Sequence, residues 1–292
     1  MDQGTDHFKR IEGVDLHWAE FGAARNSVPV ILLHGLCDSH LTWRRVLPRL
    51  ASGRHILTPN LPGHGLSERA DASYDLDWYG RVIASWIESL GFDQVDIVGH
   101  SFGGGIAQML LLKCPDRIRR LVLVSSGGLG RDVSFWLRLA TVPYVVERFG
   151  QPFMGLGTRL ALLPLKELFS KAEFEEIIEM NKKDGSARTL ARTVKDIIDW
   201  RGQTRGFFQR AAELERLPPI AVIWGERDSM IPISHGRTFT ESFEGVRLAE
   251  IAGCGHYLHH EKPETFAEVV NEFLDASRVP EPSLRGSQGD AS

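Results

Sequence analysis

One stretch in the first half of the chain restricts the fold more than any other: residues 95–108, VDIVGHSFGGGIAQ. It begins as an apolar run with β-branched residues, which is typical of a buried strand. It then turns sharply around Ser101 and continues as a helix pattern. Bulk at Gly99 or Gly103 would clash across so tight a turn, and the turn strains the backbone of Ser101. The sequence therefore predicts a strand, a turn and a helix with a serine at the apex.

This arrangement is the structural context of the G-x-S-x-G nucleophile elbow. The bare pattern is common by chance, and the alternative is a glycine-rich turn with an incidental serine. The helix that follows would aim its free N–H groups and the positive end of its dipole at the serine. The flanking strand and helix favour the functional interpretation of Ser101.

The rest of the chain alternates apolar runs with helix patterns, which predicts an α/β fold with a mainly parallel sheet flanked by helices. A hairpin is expected at 8–20, with its turn at Glu12 and Gly13. Further strands are predicted at 28–33, 55–59, 118–124, 219–225 and 246–251, and the strand that begins at residue 95 is expected to break at 99–103. Helices are predicted at 43–50, 74–90 (with Gly91 as its C-terminal cap), 106–113 and 261–274.

The pattern changes after the sixth predicted strand. Residues 129–214 contain helix-like segments at 135–149, 165–180 and 190–200. An insertion of this length is too long to be a loop. We expect a helical cap there, over the edge of the sheet, with residues 1–128 and 215–276 forming the core domain. Residues 277–292 are rich in Pro, Gly and Ser, which predicts a disordered tail.

The cap is rich in large apolar side chains, most of which we expect to pack on each other or on the core. Phe135, Trp136 and Tyr144 are candidates to line an acyl or aromatic pocket, although the substrate-binding residues stay undefined.

Composition excludes several classes of function. A formal net charge of −4 and the lack of a Lys/Arg cluster argue against nucleic acid as a partner. Three cysteines do not indicate a disulfide framework. The polar N-terminus lacks a signal-peptide pattern, and no apolar run is long enough for a transmembrane segment, so we expect a cytoplasmic protein. A peripheral membrane contact through the apolar insertion and the oligomeric state stay open.

Several chemistry-bearing residues follow predicted strands and should meet at one edge of the sheet. Ser101, Asp228 and His256 could then act as nucleophile, orienting carboxylate and general base. An imidazole suits the base because it titrates near neutral pH. The backbone N–H groups of Leu36 and Phe102 are the candidate oxyanion donors.

Five segments carry a family resemblance: HGLCDS, NLPGHGLS, GHSFGG, WGERDSMIP and AGCGHYLHHEKPETF. With the chain order Ser, Asp, His, the sequence resembles the α/β-hydrolase superfamily from about residue 8 to 277, in its capped serine esterase/lipase-like branch. The resemblance implies the α/β-hydrolase fold. It also implies hydrolysis of a small-molecule ester through an acyl-enzyme, without a cofactor.

Three alternatives to ester hydrolysis occur on this fold. A serine at position 101 departs from the Asp of epoxide hydrolases and dehalogenases of this fold. The C–C bond hydrolases typically have Asn before the serine and Trp after the histidine, whereas this chain has His100 and Tyr257. An ester is therefore favoured over a vinylogous diketone. A non-catalytic ligand-binding protein on the same fold is the third hypothesis.

Some neighbouring residues have ordinary structural explanations. Asp38 could brace the oxyanion loop or simply cap it, and His34 is expected to hold that loop by hydrogen bonding. A direct role for His100 is disfavoured because it should point away from Ser101. His259 and His260, with His256, match no zinc signature, so no metal is expected.

Overall fold

A computed structural model describes residues 4–22, 27–139, 143–211, 214, 216–277 and 279–284. Within these ranges an eight-stranded sheet forms the centre, in the order β1-β2-β4-β3-β5-β6-β9-β11. The strands are β1 (Thr5–Ile11), β2 (Val14–Phe21), β3 (Val30–Leu33), β4 (Ile56–Pro59), β5 (Val95–His100), β6 (Ile118–Val124), β7 (Ile198–Asp199), β8 (Gly202–Gln203), β9 (Ile220–Gly225), β10 (Phe243–Glu244), β11 (Arg247–Ile251) and β12 (Ser283–Leu284).

The described helices fall into two groups. Those around the sheet are α1 (Leu47–Leu50), α2 (Leu76–Ser89), α3 (Phe102–Lys113), α10 (Ser234–Ser242), α11 (Leu258–Glu261) and α12 (Pro263–Asp275). Those between β6 and β9 are α4 (Phe135–Leu139), α5 (Pro143–Phe149), α6 (Met154–Leu162), α7 (Lys171–Lys182), α8 (Ser186–Ile197) and α9 (Phe208–Ala211). Short 3-10 helices occur at His40–Trp43, Pro115–Arg117, Gln151–Phe153 and Leu163–Leu168.

The sheet is parallel apart from its first strands. β1 pairs antiparallel with β2, and β2 pairs antiparallel with β4. Glu12 and Gly13 join the hairpin with φ angles of 49° and 81°, which suit the twist of two antiparallel strands. The other pairs are parallel. The predicted fold class and hairpin are confirmed.

Apolar runs form the central strands because both faces of the sheet are covered. In β3, Ile31 and Leu33 belong to one buried cluster, whereas Val30 and Leu32 belong to another on the opposite face. Each of the four side chains is at most 2% exposed. A strand that is buried on both faces has no alternation of polar and apolar residues. The continuous apolar run at 28–33 therefore predicted β3 as a buried strand.

Local signals define α2. The Asp75 carboxylate accepts a hydrogen bond from Trp78 N at 2.7 Å and caps the N-terminus. Gly91 follows the C-terminus with a φ of 76°, a conformation that favours glycine. The helix therefore starts two residues later than the predicted 74–90.

In the described residues between β6 and β9 the structure has helices joined by loops, and also a short hairpin that the sequence did not predict. Ile198 pairs with Gln203, where a helix was expected as far as residue 200. Gln203 N donates to Arg131 O at 2.7 Å. A Cβ at Gly202 would lie 2.1 Å from that same oxygen. A contact with a distant residue fixes this turn, so local periodicity did not reveal it. The bounds of the core and cap stay predictions.

The expectation that most cap side chains pack inward is only partly met. Met154 is buried, but Phe149 and Phe153 are 60% and 64% exposed. Phe135, a candidate pocket residue, is 59% exposed. The side chains of Trp136 and Tyr144 lie outside the described part of the structure.

The tail is described only in part. Ser283–Leu284 pairs with Phe243–Glu244, and residues 278 and 285–292 are outside the described ranges. Its disorder stays a prediction. None of the helices in the described ranges has both the length and the apolarity needed to cross a bilayer.

Candidate active site

Ser101 lies at the turn between β5 and α3, as predicted. Its φ of 53° and ψ of −114° form a strained conformation for a residue with a side chain. Ser101 N donates to Val124 O at 2.9 Å, and its carbonyl accepts from the N–H groups of Gly104 and Gly127, each at 3.0 Å. These bonds to β6 and to the loop after β6 hold the strained turn.

Glycines make the close approach of α3 possible. A Cβ at Gly99 would lie 2.6 Å from Gly103 O, and one at Gly103 would lie 2.4 Å from Leu33 O. Both contacts involve backbone atoms, which cannot move aside cheaply. The predicted clash at these two positions is confirmed. At Gly104 the atom nearest to an added Cβ belongs to a side chain, Ser126 Oγ at 2.1 Å.

Asp228 and His256 form a buried pair, although 28 residues separate them in sequence. His256 Nδ1 lies 2.8 Å from Asp228 Oδ2. The other carboxylate oxygen accepts from Met230 N at 2.9 Å and Ile231 N at 3.0 Å. Burial raises the pKa of Asp228, but the charge and hydrogen bond of His256 with these N–H groups bring it below its usual value. Because Nδ1–H donates to this carboxylate, the neutral ring keeps the lone pair of Nε2 for accepting a proton.

His100 connects this pair to the elbow. Its Nε2 donates to the backbone carbonyl of His256 at 2.9 Å, and the two ring centroids are 4.9 Å apart. Burial, followed by the charge of His256, lowers the pKa of His100 to about 3, so the ring is neutral. His100 therefore positions the backbone of His256. This role of His100 was not predicted from the sequence.

The described hydrogen bonds do not include one between the Ser101 hydroxyl and His256. Catalytic hydrogen bonds are often long without substrate and tighten when it binds. The link through His100 nevertheless brings the segments of Ser101 and His256 together at the carboxyl edge of the sheet.

The two candidate oxyanion donors flank Ser101. Phe102 is the first residue of α3, where N–H groups have no acceptor within the helix. Leu36 follows Gly35, at which a Cβ would lie 3.6 Å from Ser101 Cβ and 3.2 Å from His100 Nδ1. The loop of Leu36 thus passes directly over the serine. The oxyanion role of both amides stays a prediction.

His34 holds that loop, as expected. Leu61 N donates to His34 Nε2 at 3.0 Å, so Nδ1 carries the proton and donates to Gly35 O at 2.8 Å. Burial and the neighbouring His64 lower the pKa of His34 well below its usual value. The neutral imidazole of His34, protonated at Nδ1, forms both hydrogen bonds.

Glu261 was not singled out from the sequence, yet it fixes the loop of His256 from both sides. Its carboxylate accepts from Gly255 N at 2.8 Å and from Tyr257 N at 3.2 Å. These are the amides immediately before and after His256. The only sequence signal was a carboxylate five residues after a candidate catalytic histidine.

His259 and His260 share one hydroxyl. Thr42 Oγ1 lies 2.8 Å from His259 Nε2 and 3.0 Å from His260 Nε2. Burial lowers the pKa of both imidazoles, that of His260 to about 4. These two rings are neutral packing partners, and in the described ranges no group of three or more His, Cys, Asp or Glu side chains is arranged to hold a metal.

Asp38 lies between the oxyanion loop and the cap. Its Oδ1 accepts from Ser39 N at 2.8 Å, which is the loop-capping interaction considered above. Burial raises the pKa of Asp38 to about 6, against the opposing hydrogen bonds from Ser39 and Thr42. A small cleft at this place is lined by Asp38, Thr42 and His260 from the core and by Phe169 and Glu173 from the cap.

Helix α7, which lies between β6 and β9 in the chain, is docked beside the loop of Leu36 by polar contacts. Arg45 Nη2 donates to Glu173 at 2.9 Å, and Arg44 pairs with Glu176. Asn181 Nδ2 donates to the carbonyl of Cys37, the residue after Leu36, at 2.7 Å. Helix α7 therefore contacts the loop that carries a candidate oxyanion donor.

Comparison with known proteins supports the same fold. A family model described as "alpha/beta hydrolase fold" matches residues 28–263. The chain belongs to the α/β-hydrolase family. The match covers six of the eight central strands, from β3 to β11, together with the elbow, Asp228 and His256.

This α/β hydrolase is similar to proteins that carry different descriptions. An uncharacterized protein of Mycobacterium tuberculosis is 29% identical over 95% of this chain and 83% of its own length. The 2-hydroxymuconate semialdehyde hydrolase of Pseudomonas sp. strain CF600 is 29% identical over 84% of this chain and 86% of its own. The structure of an esterase from Thermogutta terrifontis superposes with a TM-score of 0.73 at 19% identity, covering 92% and 98% of the two chains. At that identity the superposition shows the fold alone.

Proposed function

We propose that this α/β hydrolase is a serine hydrolase that cleaves a carboxylic ester of a small, largely apolar substrate. The observation that carries the proposal is the buried Asp228–His256 pair, joined through His100 to a serine held at a φ of 53°. A serine at a strained elbow and an imidazole oriented by a carboxylate are the groups that serine acyl transfer requires.

Each residue has a role in the proposed reaction. Ser101 Oγ attacks the ester carbonyl while His256 Nε2 takes its proton, and the N–H groups of Leu36 and Phe102 stabilise the oxyanion. His256 then gives the proton to the leaving alcohol, leaving an acyl-enzyme on Ser101. Water, activated by the same imidazole, attacks the acyl carbonyl and releases the acid with the serine restored. Asp228 keeps the imidazole in the required tautomer throughout.

The cleavage of a C–C bond is the second candidate, and the muconate semialdehyde hydrolase relative favours it. The residues that flank the site favour an ester, because His100 and Tyr257 stand next to Ser101 and His256. His100 is neutral and already donates its one N–H to a carbonyl, so it offers no charge to a substrate carboxylate.

A paired substrate assay tests the proposal. We expect kcat/KM for p-nitrophenyl esters of short acids to exceed that for a ring-fission dienoate by at least tenfold. Ser101→Ala should lower kcat by roughly 10⁴-fold or more. Dienoate turnover above ester turnover would select the second candidate. Binding of either compound without turnover in the folded protein would select a ligand-binding function.

A further inference from the structure

A buried hydroxyl connects the segment that carries the candidate oxyanion donor with the segment that carries the candidate base. Thr42 is 4% exposed and belongs to the short 3-10 helix that follows the loop of Leu36. Its Oγ1 lies 2.8 Å from His259 Nε2 and 3.0 Å from His260 Nε2. Both histidines belong to α11, which begins two residues after His256. One hydroxyl therefore joins two segments that are 217 residues apart in sequence.

The number of protons restricts how these three groups are bonded. A hydroxyl has one proton to donate and two lone pairs that accept. Because two imidazole nitrogens lie within hydrogen-bond distance of Thr42 Oγ1, at least one of them must donate to it. In a neutral imidazole the proton is either on Nε2 or on Nδ1. The Nδ1 atoms of His259 and His260 are buried and have no hydrogen-bond partner among the described residues. A proton on either Nδ1 would thus be a buried donor without an acceptor, which is unfavourable.

The favourable arrangement places the proton of both rings on Nε2. His259 and His260 then donate to the two lone pairs of Thr42 Oγ1, and the proton of this hydroxyl needs an acceptor elsewhere. Asp38 is that acceptor. Burial raises the pKa of Asp38 to about 6, whereas hydrogen bonds from Ser39 N and from the Thr42 hydroxyl lower it.

The contact with Asp38 brings this arrangement to the loop of Leu36. Only Cys37 separates Leu36 from Asp38, and its φ of 57° lies in the left-handed region. A backbone of this kind persists only where surrounding contacts hold it. Asn181 holds the carbonyl of Cys37 at 2.7 Å, and the Thr42 hydroxyl holds the next side chain. The loop of Leu36 is therefore fixed from α7 on one side and through Thr42 from α11 on the other.

We propose that Thr42 is a positioning residue that fixes the loop of Leu36 relative to the loop of His256. Its hydroxyl accepts from both imidazoles of α11 and donates to Asp38. An oxyanion donor and a general base each act over a hydrogen-bond distance, so both depend on how these two loops are placed. The effect of Thr42 on turnover rests on the serine chemistry proposed above, whereas the direction of its hydrogen bonds does not.

Two-bond ¹H–¹⁵N spectra of the full chain, labelled at histidine, test the hydrogen-bond directions. We expect neutral rings with the proton on Nε2 for His259 and His260, with signals assigned from His259→Gln and His260→Gln. Thr42→Val keeps the shape of the side chain and removes the acceptor, so the ring ¹⁵N shifts of both histidines should change. A proton on Nδ1 of either ring in the wild type would overturn the proposal.

The placement of the base can be measured without turnover. The Nδ1 proton of His256, which is hydrogen-bonded to Asp228, should give a low-field signal that shifts in Thr42→Val and returns in Thr42→Ser. Thr58→Val is the matched control, because Thr58 is fully buried and its hydroxyl donates to Ala19 O at 3.3 Å, in neither loop. An unchanged signal in Thr42→Val, or an equal shift in the control, would overturn the positioning role.

Steady-state kinetics with p-nitrophenyl esters, compared at equal folded fraction, measure the effect on the reaction. We expect kcat of Thr42→Val to fall about tenfold with KM changed less than about twofold, because no substrate contact is removed. Thr42→Ser should keep kcat within about threefold of the wild type, and Thr58→Val within about twofold. Unchanged kcat in Thr42→Val, or an equal loss in Thr42→Ser, would contradict the proposal. If the wild type hydrolyses no ester, the proposed function fails, and the spectra of His256, His259 and His260 still decide the role of Thr42.

Discussion

His100 Nε2 donates to the backbone carbonyl of His256 at 2.9 Å, so the residue before the candidate nucleophile holds the candidate base. This bond spans 156 residues of sequence and joins the elbow to the loop after β11. A neutral, buried ring thus connects the backbone of the two segments that carry Ser101 and His256.

Removal of this bond should slow the reaction without weakening substrate binding. His100→Phe leaves the carbonyl of His256 without its donor, and we expect kcat to fall roughly tenfold or more with KM little changed. His100→Gln can place an amide N–H near the position of Nε2 and should restore part of kcat. Steady-state kinetics of both variants, compared at equal folded fraction, measure the effect. Equal loss in the two variants would show that the ring packs but does not position His256.

Glu261 should act on the same loop from its other side. Glu261→Ala removes the acceptor of Gly255 N and Tyr257 N, and we expect kcat to fall about tenfold. Glu261→Gln keeps one acceptor oxygen and should lose less. Glu264→Gln is the control, because this exposed carboxylate pairs only with Arg49 among the described contacts. If kcat of Glu264→Gln falls as far as kcat of Glu261→Ala, Glu261 does not position the loop of His256.

The three consecutive glycines at the start of α3 should respond differently to one added methyl group. Gly103→Ala places a Cβ 2.4 Å from Leu33 O and should cost about 3 kcal/mol or more of unfolding free energy. At Gly105 the nearest atom is Leu76 Cδ2 at 3.6 Å, so Gly105→Ala should be neutral or stabilise by up to about 1 kcal/mol. Urea unfolding measures both. Similar unfolding free energies for Gly103→Ala and Gly105→Ala would contradict the close approach of α3 to β3.

Asp38 should make stability fall as the pH rises. Burial raises its folded pKa to about 6 from an ordinary value of 3.8, so its contribution is fully present below pH 3.8 and is lost as the pH rises through 6. Asp38→Asn has no such loss. The unfolding free energy of the variant minus that of the wild type should therefore increase between pH 4 and 7, by at most about 3 kcal/mol. A difference that is constant or decreases with pH would show that Asp38 is not destabilised by burial.

Much of the fold follows from local pattern. The strands around the site are apolar runs because both sheet faces are covered, and the glycines at 99 and 103 mark the elbow because backbone atoms approach them directly. Asp228 and His256 were predicted as partners from their places after strands, and they are hydrogen-bonded.

Other features depend on contacts between distant residues. The hairpin at 198–203 is fixed by Arg131, and the exposure of Phe149 and Phe153 depends on which side of the cap helices meets the core. His100 and Glu261 act through backbone groups of the His256 loop. The spacing of side chains in a sequence carries no information about such backbone partners.

Labelling with a fluorophosphonate, followed by peptide mapping of the folded protein, tests the central claim that Ser101 is a nucleophile activated by His256. We expect a single label on Ser101, no label there in Ser101→Ala, and labelling at least about 10³-fold slower in His256→Ala. A folded wild-type protein that stays unlabelled, or that is labelled equally fast without His256, would contradict the account.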